Sequence, residues 1–464
     1  MEERTVTEEV TVDVFVTAYN EDLTLIASCL QAAKQMCGKH CTWLLDDGHR
    51  LALAQLAQQL NVGYLTRENR KDAKAGNINA ALQYTSGEII VIFDIDHMPQ
   101  PDFLEQTVHY FRNPRIGFVQ VMLTFSNAAE SWIARAAIES GKDFYSATSV
   151  GADAVRGATL VGTNALIRRK ALEAIGGYHP GLAEDLATSV AIHAANWGSV
   201  YVRKPLAPGL APPDLPAWFT QQMKWARGVF ELLLVAYPHY FARLSVGQRI
   251  SYAVRMTYYW LGLIVCLHLV ATMTVLYSQT ASSIAGLEEY LRYLLPLAAV
   301  TWLIRTFSLW QWHHPSEPTT GQWRAALLIY ATWPIYTLAW LMAILRLPLT
   351  FRPTPKKAGE RLNPLWLAPQ AFTVCALSVG LLLSWQEVKA YPLVWLFAIV
   401  QMIPQLWLIG YWILTSYQSL FSAQANGNSA TNLSQPEESS EILQVEGGQL
   451  HHQQLESTHL THLS

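Results

Sequence analysis

Apolar residues come in short runs over the first two hundred positions and in long runs after that. Residues 12–16, 41–45, 62–65 and 88–93 are short apolar stretches that the pattern reads as strands. Residues 23–35, 51–60 and 75–85 carry helical spacing between them. The alternation predicts an α/β head with a doubly wound parallel sheet. The run Ile89-Ile90-Val91-Ile92-Phe93 is apolar at every position, as expected for a strand covered on both faces. In such sheets ligands bind outside the carboxyl ends of the strands. Thr17 to Glu21, Asp46-Asp47 and Asp94-Ile95-Asp96 all fall at those ends.

The second half reads differently. Residues 218–236 have a helical pattern mixing Trp225 and Phe230 with basic residues, which predicts a helix at a membrane surface. Runs 256–277, 291–312, 364–385 and 391–416 are long enough to span a bilayer. A fifth run, 325–345, is equally apolar. If all five cross, the segment 346–361 with Arg346, Arg352, Lys356, Lys357 and Arg361 faces outward, against the positive-inside rule. If 325–345 is re-entrant or interfacial, bent at Pro334, that segment returns to the cytosol. The expectation is four spans plus one membrane-embedded helix, with five simple spans as the alternative. The linker 278–289 faces outward in both.

Composition agrees with a membrane protein carrying a polar head: 51% of the 464 residues are hydrophobic and only 14% charged. A net charge of −3 offers no basic stripe for nucleic acid. Five cysteines, with Cys37 and Cys41 the closest pair, complete no zinc spacing. No apolar stretch opens the chain, so the head is expected in the cytosol. Residues 419–464 are rich in Ser, Gln, Asn, Glu and His, and read as a disordered polar tail. Its His451, His452, His459 and His462 read as solvated, and the Asn432-Leu433-Ser434 sequon is expected on the cytosolic side and unused.

Five motifs carry the candidate chemistry. Asp94 and Asp96, at i and i+2 of a strand end, point the same way and suit a Mg or Mn ion on a diphosphate. Alone such a triplet is weak; the apolar strand before it and the further acidic motifs strengthen it. Asp46-Asp47-Gly48 is a second candidate contact or a plain strand-ending turn. The stretch from Lys71 to Asn77 offers a cation and free N–H groups for phosphate, or a plain helix start. Glu184-Asp185 supplies a base for an acceptor hydroxyl, or an acidic helix N-terminus; the two readings are compatible. Gln221-Gln222-Met223-Lys224-Trp225 sets an aromatic beside polar groups, either to stack a sugar ring or to anchor at the interface. A transporter is the competing class, but Arg305 in run 291–312 has no acidic companion in that run.

Together these residues resemble the cellulose synthase branch of the family 2 inverting, processive glycosyltransferases. The family pattern of D, D-x-D, T-E-D and Q-(Q/R)-x-R-W appears as Asp46-Asp47, Asp94/Asp96, Ala183-Glu184-Asp185 and Gln221 to Trp225. Val12 to Glu21, Lys74 to Asn79 and Phe93 to His97 are similar as well, and 351–357 resembles the gating loop. The resemblance covers roughly residues 10 to 415. It implies a nucleotide-diphospho-sugar transferase head of GT-A type followed by an α-helical transmembrane domain. Thr17, Tyr19 and Glu21 would surround uracil, Asp46 or Asp47 would contact the uridine diphosphate, and Lys74 would lie near the nucleotide. Asp94 and Asp96 would hold the diphosphate and its Mg or Mn, and Asp185 would be the general base. Trp225 would stack under the acceptor, with Gln221 and Gln222 near the diphosphate and Phe351, Thr354 and Lys356 in the gating loop. Ala183 stands for the usual Thr, Lys224 for Arg and Pro353 for Val; Gly359 comes late. The family's N-terminal membrane helices and cyclic-dinucleotide-binding domain are not recognisable.

The implied organisation is a flexible N-terminus (1–10), a cytosolic head (11–215), interfacial helices (216–250), a transmembrane domain (251–418) and the tail (419–464). The expected function is transfer of a hexose, glucose from UDP-glucose, onto a growing β-glucan in the inner or plasma membrane. The alternative is a single-sugar transferase making a glucosyl-diacylglycerol or polyprenyl-phosphate sugar. Expected partners are the UDP-sugar, a glucan or lipid acceptor, membrane lipids and accessory subunits.

Overall fold

The computed structural model describes residues 10–278, 287–312, 322–349, 354–359, 362–387 and 392–432. Phe351, Pro353, the N-terminal nine residues and the tail from 433 lie outside them. The chain divides into two units at Trp412/Ile413, and every contact below lies in the first.

The head is built from strands β1 (Val12–Ala18), β2 (Cys41–Asp46), β3 (Gly63–Leu65), β4 (Ile89–Asp94), β5 (Ile116–Val121), β6 (Ala165–Arg168) and β7 (Gly198–Val202). Its helices are α1 (Leu23–Lys34), α2 (Leu51–Leu60), α3 (Ala73–Leu82), α4 (Trp132–Asp143), α5 (Ser149–Ala154), α6 (Arg169–Ala174) and α7 (Glu184–Ala194). The sheet order is β3-β2-β1-β4-β6-β5-β7. Ile89, Ile90, Val91, Ile92 and Phe93 are all buried, as their unbroken apolar run requires. Each such side chain is worth about 1.5–3 kcal/mol relative to exposure.

The expected all-parallel sheet is corrected in one strand. β6 runs antiparallel to both β4 and β5, so the sheet is mixed. It has only four residues and leads straight into α6, too short a signal for periodicity to orient. Its reversal has a use. Ala165 pairs with Ile92, so β6 starts where β4 ends and places the turn before it, residues 161–164, beside Asp94.

After the head come α8 (Leu215–Leu234), α9 (Ala236–Tyr240), α10 (Val246–Thr257), α11 (Leu261–Ser278), α12 (Leu287–Trp312), α13 (Trp323–Ala331), α14 (Trp333–Ile344), α15 (Ala368–Leu383) and α16 (Pro392–Asn432). Among the described residues, three helical stretches are long and apolar enough to cross a membrane: Val246–Ser278, Pro364–Leu383 and Pro392–Gln418. The expected span 291–312 lies in α12, which is helical but not one of the three. Its Arg305 has an acidic partner outside its own run: Asp143, at the end of α4, lies 3.2 Å away.

The run 325–345 is broken, as its proline hinted. α13 and α14 meet at 46°. The break falls at Thr332, between the two helices, because Pro334 occupies the first turn of α14, where a missing N–H costs nothing. The freed polar groups find partners: Trp218 Nε1 donates to Thr332 Oγ1 at 3.0 Å, and Gln370 Nε2 donates to the Ala331 carbonyl at 3.0 Å.

Candidate active site

The carboxyl ends of β1, β2 and β4 lie side by side. Thr17 is in register with Asp94, and Ala18 with Asp46. Thr17 Oγ1 donates to Asp94 Oδ1 at 3.4 Å. Tyr19 is exposed, and its N–H donates to Glu21 Oε2 at 2.7 Å, folding that carboxylate onto its own loop. Asp46 is fully buried and accepts from Gly48 N (2.7 Å), Arg50 N (2.8 Å) and Tyr64 Oη (3.0 Å). Its contacts are therefore those of a strand-ending turn. Asp47 is also buried, and both its oxygens accept from Arg67.

Asp94, Asp96 and His97 offer ligand atoms that all lie within 4.8 Å of one another. Asp96 Oδ1 and both His97 ring nitrogens are buried without a hydrogen-bond partner among the described residues, and His97 Nδ1 faces Asp96 Oδ1 at 3.6 Å. Two carboxylates and an imidazole with orphaned atoms fit a divalent cation of the Mg or Mn kind. Two lysines balance the acids here. Lys74 Nζ pairs with Asp94 Oδ1, and Lys356 Nζ lies 2.7 Å from Asp96 Oδ2. Burial alone would raise the Asp96 carboxyl, but Lys356 and His97 beside it hold it well below the usual range.

Asp185 sits in the first turn of α7, where Leu186 N–H donates to its Oδ1 at 2.7 Å. Burial, and then repulsion from Glu184, push its carboxyl up to about 7; Lys224 and Lys74 pull the other way. Gly162 joins this acid to the Asp94, Asp96 and His97 cluster. Its carbonyl accepts from Lys74 Nζ at 2.6 Å, and a Cβ built on it would stand 3.4 Å from Asp185 Oδ2. At φ +87°, Gly162 is in the left-handed region where glycine is at ease.

The profile "Glycosyltransferase like family 2" matches residues 10–228, which contain this whole cluster except Lys356. Residues 10–228 are a family 2 glycosyltransferase domain. The chain is 31% identical over 272 residues to "Cellulose synthase 1 catalytic subunit [UDP-forming]" of Komagataeibacter xylinus, a match covering 54% of this chain and 35% of that protein. It is 33% identical over 264 residues to the UDP-forming cellulose synthase catalytic subunit of Pseudomonas fluorescens (strain SBW25), covering 54% and 36%. The match thus spans about a third of those relatives' length. Among solved structures it is similar to the mannosyltransferase PcManGT from Pyrobaculum calidifontis in complex with GDP-Man and Mn2+, with TM-score 0.46, 17% identity, and coverage of 72% of this chain and 88% of that one. The matched residues carry the mixed seven-stranded sheet described above.

The domain's last helix, α8, carries the Gln-Gln-x-Lys-Trp motif at the border with the apolar helices. Trp225 is exposed. Gln222 is buried instead, and its Oε1 accepts from Tyr336 Oη of α14 at 3.0 Å, so its side chain faces the broken helix pair. Gln221 and Thr354 are half-buried. Phe351 lies outside the described residues.

Four residues of the glycosyltransferase domain cluster were not singled out for the site from sequence. His97 adjoins Asp96 and was visible only as the flank of the D-x-D motif. Arg67, Gly162 and Thr163 had no signal of their own. Thr163 Oγ1 accepts from the Asp94 N–H at 3.0 Å, and it arrives there only because β6 is reversed.

Proposed function

We propose that this chain is a membrane-embedded glycosyltransferase that moves glucose from UDP-glucose, with inversion, onto the end of a growing β-glucan. The observation that carries this reading is the junction at Gly162. One glycine contacts the Lys74 ammonium that pairs with Asp94 and lies beside the carboxylate of Asp185, which supports donor and acceptor chemistry at one site. The similarity to UDP-forming cellulose synthases supports the choice of sugar and product.

In this reading Thr17, Tyr19 and Glu21 line the nucleoside end, with buried Asp46 and Asp47 shaping the wall beneath. Lys74 contacts the diphosphate. Asp94, Asp96 and His97 hold a Mg or Mn ion, which when bound offsets the charge of the leaving diphosphate. Asp185 takes the proton of the acceptor hydroxyl as its oxygen bonds to the anomeric carbon, and the bond from that carbon to the diphosphate oxygen breaks. General-base help of this kind is worth roughly 10²–10⁴-fold. A carboxyl near pH 7 is well matched to that task. Trp225 stacks beneath the acceptor ring, and the segment with Thr354 and Lys356 covers the donor. The head and the basic stretch around Lys356 share the cytosolic side, in keeping with the positive-inside rule.

The test is the protein purified in detergent and supplied with radiolabelled UDP-glucose and Mg²⁺ or Mn²⁺. A ladder of long product that a β-1,4-glucanase degrades supports the proposal. A single labelled glycolipid would replace it with one-sugar transfer, and no release of UDP would overturn it.

A further inference from the structure

Arg67 lies between β3 and α3 and makes more hydrogen bonds than any reading of the motifs requires. Its Nε and Nη2 donate to the two oxygens of Asp47 at 2.6 and 2.8 Å. Its Nη1 donates to the Lys71 carbonyl and its Nη2 also to the Ala73 carbonyl, both at 2.7 Å. Four of the five guanidinium N–H groups are thus engaged by two separate segments. The side chain is only 11% exposed.

The second segment is strained. Asp72 (φ 63°) and Ala73 (φ 43°) are consecutive non-glycine residues in the left-handed region. An L-residue keeps this conformation only where its surroundings hold it there. Arg67 holds both flanking carbonyls. The residue that follows is Lys74, whose ammonium meets Asp94 and the Gly162 carbonyl. The body of α3 has a separate anchor, Asn77 Nδ2 donating to the Leu45 carbonyl at 3.1 Å. Only the first turn therefore depends on Arg67.

We propose that Arg67 is a positioning residue: by clamping Asp47 to the strained 71–73 segment, it sets the Lys74 ammonium where a nucleoside diphosphate needs it. It acts through Lys74 and touches no donor atom itself. The inference rests on the nucleotide-sugar reading above. Gly76 gives an independent handle, because a Cβ there would lie 2.3 Å from Arg67 Nη1 and 2.2 Å from the Lys71 carbonyl. Gly76→Ala therefore disturbs the clamp while keeping Arg67 and its charge.

UDP binding, measured by calorimetry with saturating Mn²⁺ on the full chain in detergent, tests this as a double-mutant cycle. Arg67→Gln is expected to weaken UDP about tenfold. Arg67→Lys is expected not to rescue, since an ammonium cannot span both segments. In a Lys74→Ala background the further loss from Arg67→Gln should vanish, which a merely structural role would not produce. Losses that add independently, or an Arg67→Lys protein that binds UDP like wild type, would overturn the proposal. If the Arg67 variants do not fold, Gly76→Ala decides: weakened UDP binding that disappears in the Lys74→Ala background supports the clamp, and unchanged binding sinks it. A wild-type protein that binds no UDP would overturn the nucleotide-sugar reading itself. A wild type that binds UDP while Arg67→Gln binds it equally well defeats only the clamp.

Discussion

Lys356 Nζ lies 2.7 Å from Asp96 Oδ2, joining residues 260 apart in the sequence. The ammonium occupies an oxygen that a divalent cation would use, as Lys74 does on Asp94. Lys357 adds an ion pair to Asp22 at 2.7 Å, and the Gly359 N–H donates to Asp214 Oδ2 at 3.1 Å, so the short segment is fixed at three acids. Removing one positive charge at this range should ease cation entry. Lys356→Gln is expected to bind Mn²⁺ at least about threefold more tightly in the absence of nucleotide. Titration followed by the free-ion paramagnetic resonance signal measures it, and unchanged affinity would mean that lysine and metal do not compete.

Neither that ion pair nor the reversal of β6 could be read in advance. The strands ending at Asp46 and Asp94 were legible because a covered parallel strand has to be apolar throughout, and the acids interrupt it at its end. The helix 51–60 was legible from spacing alone. β6 has four residues and no alternation to orient it, so Gly162 and Thr163 went unnoticed although they touch the cluster. Arg67 was invisible for another reason. Its role depends on two carbonyls, which have no sequence signature. The bend within 325–345 was foreseen through Pro334 but misplaced by two residues, since a proline that starts a helix differs from one that breaks it.

Asp185→Asn keeps the shape of the first turn of α7 and removes the base. Sugar transfer should fall by at least about a hundredfold while UDP binding stays within a fewfold of wild type. Single-turnover assays beside UDP titrations separate the two quantities. Full turnover in the variant would move the base elsewhere.

The same carboxyl should set a pH limb. Its folded value near 7 lies above the unfolded value, so the stability linked to its neutral form is complete below about pH 4 and lost as pH rises through 7. Activity runs the opposite way, because the base must be ionised. The acidic limb of kcat/KM is expected near pH 7. Glu184 is the second cause of the elevation, after burial. Glu184→Gln should therefore move that limb to lower pH, and a limb that stays in place would assign it to another group.

Tyr336 joins the broken helix pair to the glycosyltransferase domain. Its hydroxyl is buried and donates to Gln222 Oε1 at 3.0 Å. Tyr336→Phe changes almost no volume but leaves a buried amide oxygen without its donor, which costs about 1–3 kcal/mol. The variant is expected to melt earlier in detergent, followed by intrinsic tryptophan fluorescence. Gln222→Leu in the same background should restore part of the loss, because an apolar side chain leaves no acceptor to satisfy. The pair therefore separates a bond that holds the motif helix in place from a glutamine kept for contact with the donor. If Gln222 serves the diphosphate directly, Gln222→Leu will weaken UDP binding whatever stands at 336. If it serves the helix border, the melting temperature moves and UDP affinity does not.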